Sequence, residues 1–284
     1  MTFHAYMGAM TASHTAFHGL PGSSRLLRVI DLETTGNSFS DGGVVEIGWQ
    51  DLVEADGIWR LHRGPQARLV RPGNPISPAT SAIHHLIDED VAGAPLWHEV
   101  APPVLQGDIR PAALAAHRSA FEQRWCVPAV SGNARWICTY KCALRIWPEA
   151  PGHSNQGLRY WRRPEGLDRA LGLPAHRAGP DAYVTAHHLR DMLALAPVEQ
   201  LLAWSAEPAL LVRVPYGPYR YRSWRDLDRD VLAQIAAGDG NADMAFTART
   251  EIARRGEQPV AVQDRRTSAP SGPQMALGLD TPSA

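Results

Sequence analysis

The stretch Leu26-Leu27-Arg28-Val29-Ile30-Asp31-Leu32-Glu33-Thr34-Thr35-Gly36 decides how the rest of this 284-residue chain is read. A mostly apolar run of strand formers leads into Asp31-Leu32-Glu33 and breaks at Thr34-Thr35-Gly36. In a strand, residues two apart point to the same face, so Asp31 and Glu33 project side by side while Leu32 faces the other way. Two carboxylates that close repel unless a cation sits between them. Hard divalent cations such as Mg²⁺ or Mn²⁺ bind such oxygen pairs. An exposed acidic strand end is the plainer alternative, but exposed acids rarely follow so apolar a run.

Outward from this strand, residues 44–49 form a second, mostly apolar strand. Residues 59–62 and 67–70 read as a hairpin with Arg63-Gly64-Pro65 at its tip. From Ser77 the pattern turns helical, with Pro78 in a first turn behind a serine cap; Asp88 caps a short helix, and 97–105 form another. Residues 112–116 are a short buried strand, and Ser119 opens a helix carrying Phe121, Glu122 and Trp125. Glu122 thus sits just past a strand end, where open α/β sheets place their sites, though a first-turn acid is more often a partner of the helix dipole. Residues 136–138 give one more strand, 140–147 a helix, and Ser154-Asn155-Gln156 cap a helix through Trp161. Arg159, Arg162 and Arg163 beside Tyr160 and Trp161 suit base stacking and a snorkelling surface helix about equally well.

His176-Arg-Ala-Gly-Pro-Asp181 is the other informative stretch. Gly179-Pro180 makes a turn that places Asp181 in the first turn of a helix running to about 196, with His176 in the loop before it. Such a loop can fold back and bring both groups to one cleft, although for this segment alone a surface histidine and an N-terminal helix acid is the plainer reading. A histidine there is an ordinary general base, with a reference pKa of ~6.5. His187-His188 on the same helix read as surface residues or as supports behind the site.

Composition narrows the classes. The formal net charge is -1, so no global basic field exists and any nucleic-acid contact must use local patches. Nearly all positive charge is arginine, Lys141 being the only lysine. Cys126, Cys138 and Cys142 form no paired framework, which suggests a reducing, cytoplasmic setting; a Cys138-Cys142 zinc half-site lacks its second half. No run approaches the ~18 apolar residues of a membrane span. Residues 1–24 read as a tail without signal-peptide character, and 258–284, rich in Pro, Ser, Thr and Gly, as a disordered one.

Taken in order, these motifs resemble the DEDDh (DnaQ-like) 3′-5′ exonucleases. The match runs through Asp31, Glu33, Thr34, Thr35 and Gly36, then Ile83-His84 with Asp88-Glu89-Asp90-Val91, and finally His176 and Asp181. The stretch from Trp136 through His153-Ser-Asn-Gln156-Gly-Leu-Arg-Tyr160 looks most like exonuclease X. The second motif departs: where the family shows His-Asn-x-x-Phe-Asp, this chain has His117-Arg118-Ser119-Ala120-Phe121-Glu122. The resemblance covers residues 25–196 and implies an α/β, ribonuclease H-like fold, with a mixed five-stranded sheet flanked by helices. It implies two Mg²⁺ or Mn²⁺ ions ~3.5–4 Å apart. Asp31 would bridge them, Glu33 and Asp181 would hold the one nearer the attacking water, and Glu122 would support the other. His176 would take the water's proton. Leu32, Thr34, Thr35, His84 and Phe121 would lie against the 3′-terminal nucleotide.

Residues 199–257 are expected to form a separate small module. It contains a strand over 210–214 and two helices around Gly238-Asp-Gly, and resembles a module appended to exonuclease X-like proteins. Arg220, Arg222 and Arg225 lie among Tyr216, Tyr219, Tyr221 and Trp224 there, a second basic-aromatic cluster that suits nucleic acid or a packing role. The expected activity is removal of nucleotides from single-stranded or frayed DNA 3′ ends, with no membrane and with a polymerase or repair complex as the candidate partner. The alternatives are a catalytically weakened nucleic-acid- or polymerase-binding relative and an RNA-trimming enzyme of the same fold.

Overall fold

The computed structural model describes residues 25–37, 42–238 and 240–256. The two expected tails lie outside the described residues. The chain forms two compact units that divide between Val212 and Arg213.

The first unit contains β1 (Arg25–Thr34), β2 (Val44–Ala55), β3 (Ile58–Leu69), β4 (Ala113–Ala116) and β5 (Trp136–Cys138). Helices α1 (Pro78–His84), α2 (Asp88–Val91) and α3 (Trp97–Gln106) link β3 to β4, and α4 (Glu122–Trp125) and α5 (Pro128–Ser131) link β4 to β5. Helices α6 (Thr139–Ile146), α7 (Asn155–Arg162), α8 (Ala178–Leu193) and α9 (Val198–Ala206) complete it. The five strands lie in the order β3-β2-β1-β4-β5. β1-β2 and β2-β3 are antiparallel; β1-β4 and β4-β5 are parallel. This is the expected mixed sheet flanked by helices.

Strand alternation divides β1 between two cores. Leu27 and Val29 pack with Ala186, Leu189 and Met192 of α8, whereas Ile30 and Leu32 pack with Val100, Val104 and Leu105 of α3. Asp31 and Glu33 follow Leu27 and Val29 in parity and so emerge on the α8 face. On the α3 face Arg28 pairs with Asp51 at 2.7 Å and also donates to the Val104 carbonyl, so this buried cation has its fork filled.

The hairpin expected at residues 63–65 is not there. β3 is one continuous strand, and the chain reverses at Asp56-Gly57, both with positive φ (53° and 73°). Arg63, Gly64 and Pro65 instead form a bulge opposite Gln50, whose buried side-chain amide donates to the carbonyls of His62 and Arg63. Turn-type residues mark irregular backbone, and a bulge uses the same residues as a hairpin tip.

Helix starts agree better with their caps. The Ser77 hydroxyl accepts from Thr80 N–H, and Ser154 from Gly157 N–H. The helix expected from Ser119 begins later, at Glu122. The last α8 start differs as well: the helix begins at Ala178, so Gly179-Pro180 lie inside its first turn, where a missing N–H costs nothing. No helix among the described residues is long and apolar enough to cross a membrane.

The second unit holds a short 3-10 turn (Trp224–Asp226), α10 (Arg229–Ala237) and α11 (Ala242–Arg254), the last capped by Asn241. No strand forms over 210–214; one isolated bridge joins Arg213 to Ser223. Glu251 of α11 is buried and accepts from Arg254 and Arg255, while Arg255 also donates to the carbonyls of Trp224 and Leu227. The Arg254 hydrogen bond is the main reason the Glu251 carboxyl falls from 4.5 to about 2. A depressed folded-state pKa contributes stability that is present above the unfolded value and lost as pH falls through the folded one. The near-UV signal of the buried Trp224 is therefore expected to weaken as pH drops from 4.5 toward about 2. Glu251→Gln should remove that dependence and destabilise the unit at pH 7; an unchanged acid transition would show that Glu251 does not hold it.

Candidate active site

β1 delivers Asp31 and Glu33, and the first turn of α8 delivers Asp181. One oxygen from each lies within 4.8 Å of the others. Glu122, from the start of α4, is 3% exposed, and its Oε2 has no hydrogen-bond partner. It lies outside the tight trio but close enough for its charge and that of Glu33 to act on each other.

The electrostatics are those of too many acids in one place. Burial, followed by Asp181, Glu33 and Glu122, drives the Asp31 carboxyl well above its ordinary value. Burial and Asp181 push Glu33 up to about 8, and burial pushes Glu122 up to about 8. Asp181 rises too, again by burial, against the pull of its hydrogen bonds. Arg177 opposes the rise at Glu33, but its guanidinium is committed to Glu46 through Nε (2.9 Å) and Nη2 (2.6 Å). An all-oxygen set, mostly buried, mutually repelling and with one orphaned oxygen fits a hard divalent cation.

Asp181 is held on every side. Its Oδ1 accepts from Gln156 Nε2 at 2.5 Å, its Oδ2 from the His176 main-chain N–H at 2.7 Å, and its carbonyl from Asn155 Nδ2 at 3.1 Å. Arg159 Nη1 donates to Gln156 Oε1, and Thr185 Oγ1 to Asn155 Oδ1, so both amides are fixed in turn. His176 takes a left-handed φ of 59°, which points its N–H back at Asp181 and leaves its side chain exposed. Histidine and acid therefore share one local geometry.

Two residues that the sequence reading passed over place α8. Glu46, opposite Glu33 in the β1-β2 register, is 3% exposed and accepts from both Arg177 and the Ala178 N–H. Gly48 lies opposite Asp31, and a Cβ there would sit 2.0 Å from the Ala178 main chain. An acid and a glycine inside an apolar strand were the available signals.

The other candidates scatter. Leu32 is buried among the α3-side residues, so its side chain turns away from the acids. Thr34 Oγ1 donates to Gly36 O, and Thr35 Oγ1 donates to Asn74 Oδ1 while accepting from Gly43 N–H, which fixes the turn. His84 is 1% exposed; its Nδ1 accepts from Leu86 N–H and its Nε2 has no partner. Phe121 is part-buried against the α3-side core. His117 bonds Thr139 Oγ1 and His153 O through its two nitrogens, and burial lowers it to about 4. Arg118 adopts a φ of 68° and lies 4.0 Å from the Tyr140 ring centroid. His187 and His188 are not surface residues: both are buried, and His188 Nε2 bonds the Asn155 carbonyl behind Asp181. Arg159, expected in a basic surface cluster, is 4% exposed and reaches inward to Gly172 O.

No family model matches this chain. Exodeoxyribonuclease 10 of Escherichia coli (strain K12) is 34% identical over 208 residues, which span 72% of this chain and 87% of that protein. Its counterpart in Escherichia coli O6:H1 matches equally. Among solved structures, exonuclease X in complex with 5′ overhanging duplex DNA is similar at 35% identity with a TM-score of 0.53, covering 63% of this chain and 99% of that one.

Proposed function

This chain belongs to the DEDDh 3′-5′ exonuclease family, on its exonuclease X side, and from that premise we propose that it trims DNA from 3′ ends with two divalent cations. It is a metal-binding exonuclease acting on nucleic-acid 3′ ends. The observation that carries the reading is the trio Asp31, Glu33 and Asp181, with all three acids converging from β1 and α8. These residues would hold one cation, and Asp31 with Glu122 the second.

Bound cations would neutralise the scissile phosphate and acidify the attacking water. The chain's own residues do the rest. Gln156 and the His176 N–H set the two Asp181 oxygens, which fixes the acid before substrate arrives. An imidazole nitrogen of the exposed His176 takes the proton of the attacking water. Glu46 and Gly48 keep the start of α8 seated on β2, so that acid and base stay in register with Asp31. Against the weakened-relative reading stands the presence of all four acids and of His176 in the chain. DNA is favoured over RNA by the likeness to exonucleases named for DNA.

The test uses 5′-labelled single-stranded DNA and RNA of one sequence, with Mg²⁺, Mn²⁺ or EDTA. A ladder shortening from the 3′ end of DNA, abolished by EDTA, is expected. Cleavage of RNA alone would reassign the substrate, and no metal-dependent shortening of either would overturn the proposal.

A further inference from the structure

We propose that residues 213–225 of the second unit form a stacking surface for single-stranded nucleic acid, with Tyr216 and Tyr221 as ring platforms and Arg220 and Arg222 as phosphate contacts. This goes beyond the chemistry at the 3′ end and does not depend on it. The segment holds Arg213, Arg220, Arg222 and Arg225 and no acidic residue. The fold sorts its rings: Trp224 is buried at 4% exposure, whereas Tyr216 and Tyr221 stand 51% and 62% exposed.

The exposed rings are held in place. Tyr221 has a φ of 67°, a backbone conformation that bulky side chains rarely adopt and that carries strain. Its main chain is bonded on both sides: the N–H donates to Val214 O, and the carbonyl accepts from Arg213 Nη1. Val214 N–H donates to Arg222 O, and Arg255 anchors the base of the loop through the Trp224 and Arg225 carbonyls. The fold thus holds a large ring 62% exposed on a strained backbone. A surface for unpaired bases gives that arrangement a use. Arg220 lies over one face of the Tyr221 ring, 4.4 Å from its centroid, and Arg222 lies 5.9 Å from the centroid of Tyr219, so the cations sit within reach of phosphates beside stacked bases. Bases stack on aromatic rings irrespective of sequence, and the phosphates between them meet the arginines.

The test measures binding of the full chain to a fluorescent single-stranded 16-mer in EDTA, which prevents cleavage, across a salt series. Tyr216→Ser with Tyr221→Asn is expected to weaken binding about ten-fold or more, given the size of base–aromatic stacking, with little change in salt slope. Asparagine suits the left-handed backbone, and an unchanged melting temperature checks the fold. Arg220→Ala is expected to reduce the salt slope by about 0.7, the value for one contact to a single strand. Blunt duplex of the same length, whose bases are hidden, should bind wild type and the tyrosine variant alike. Unchanged 16-mer binding in both variants would overturn the proposal, as would equal losses for duplex and single strand. Failure of wild type to shorten DNA in Mg²⁺ would sink the exonuclease reading and leave this one standing.

Discussion

Gly48→Ala is expected to lower kcat on a 5′-labelled DNA strand by about a hundred-fold or more, although glycine offers no side chain to the site. The added Cβ would lie 2.0 Å from Ala178 C, 2.1 Å from its O and 2.2 Å from Gly179 N. These are main-chain atoms and cannot rotate away. Reaching ordinary contact at 3.4 Å requires about 1.4 Å of movement between β2 and the start of α8. Asp181 lies three residues beyond Ala178, and His176 two before it, so both would shift together relative to Asp31. A displacement of ~1 Å at a reacting geometry costs ~10²-fold, and forced overpacking costs about 1–3 kcal/mol of stability. Steady-state kinetics with a thermal melt would separate the two effects. Activity within about three-fold of wild type would show that α8 does not depend on this close approach.

Asp31→Asn is expected to reduce activity by at least ~10³-fold, in the range seen when a group central to transition-state charge is lost, while leaving the metal-free protein as stable or more so. The carboxyl it replaces is buried among Asp181, Glu33 and Glu122, and the neutral amide removes that repulsion. The sign with pH follows from Glu33, raised from 4.5 to about 8. A raised folded-state pKa contributes stability that is full below the unfolded value and is lost as pH rises through the folded one. Without metal, wild type should therefore lose stability as pH climbs from 4.5 through about 8. Mn²⁺ should restore it, with a melting shift that grows over the same window. In Asp31→Asn both the alkaline loss and the Mn²⁺ shift should shrink. A variant that melts earlier than wild type in EDTA at pH 8.5, or keeps the full Mn²⁺ shift, would mean that Asp31 is not the centre of the cluster.

Asp31 and Glu33 were legible because strand alternation is local: two acids two apart share a face wherever the strand ends up. His176 and Asp181 were legible only by resemblance to a family, since nothing within five residues states that a loop histidine will fold back on its neighbour. The residues that fix Asp181 were not legible at all. Gln156 looked like part of a helix cap, and Glu46 was passed over inside a mostly apolar strand. Their roles come from contacts 25 and 132 residues away in the chain, which no local pattern encodes. The misread hairpin has the opposite cause. Arg63-Gly64-Pro65 is a strong local signal for irregular backbone, but only pairing with β2 determines whether the strand turns or bulges. The two basic-aromatic clusters show the same limit, because Arg159 and Trp224 went inward for reasons of packing that composition does not carry.

The clamp between Glu46 and the Arg177-Ala178 corner also bears on when the enzyme first becomes dangerous. It closes a loop of more than 130 residues, and Asp181 is placed only after that loop has closed. A chain still emerging from the ribosome can form the β1-β2-β3 meander early, because its contacts are close in sequence. It then displays Asp31 and Glu33 without their third acid. The full trio needs the chain out to Asp181, with α8 seated against the sheet. A half-made nuclease of this design carries its motif in the open and cannot yet use it.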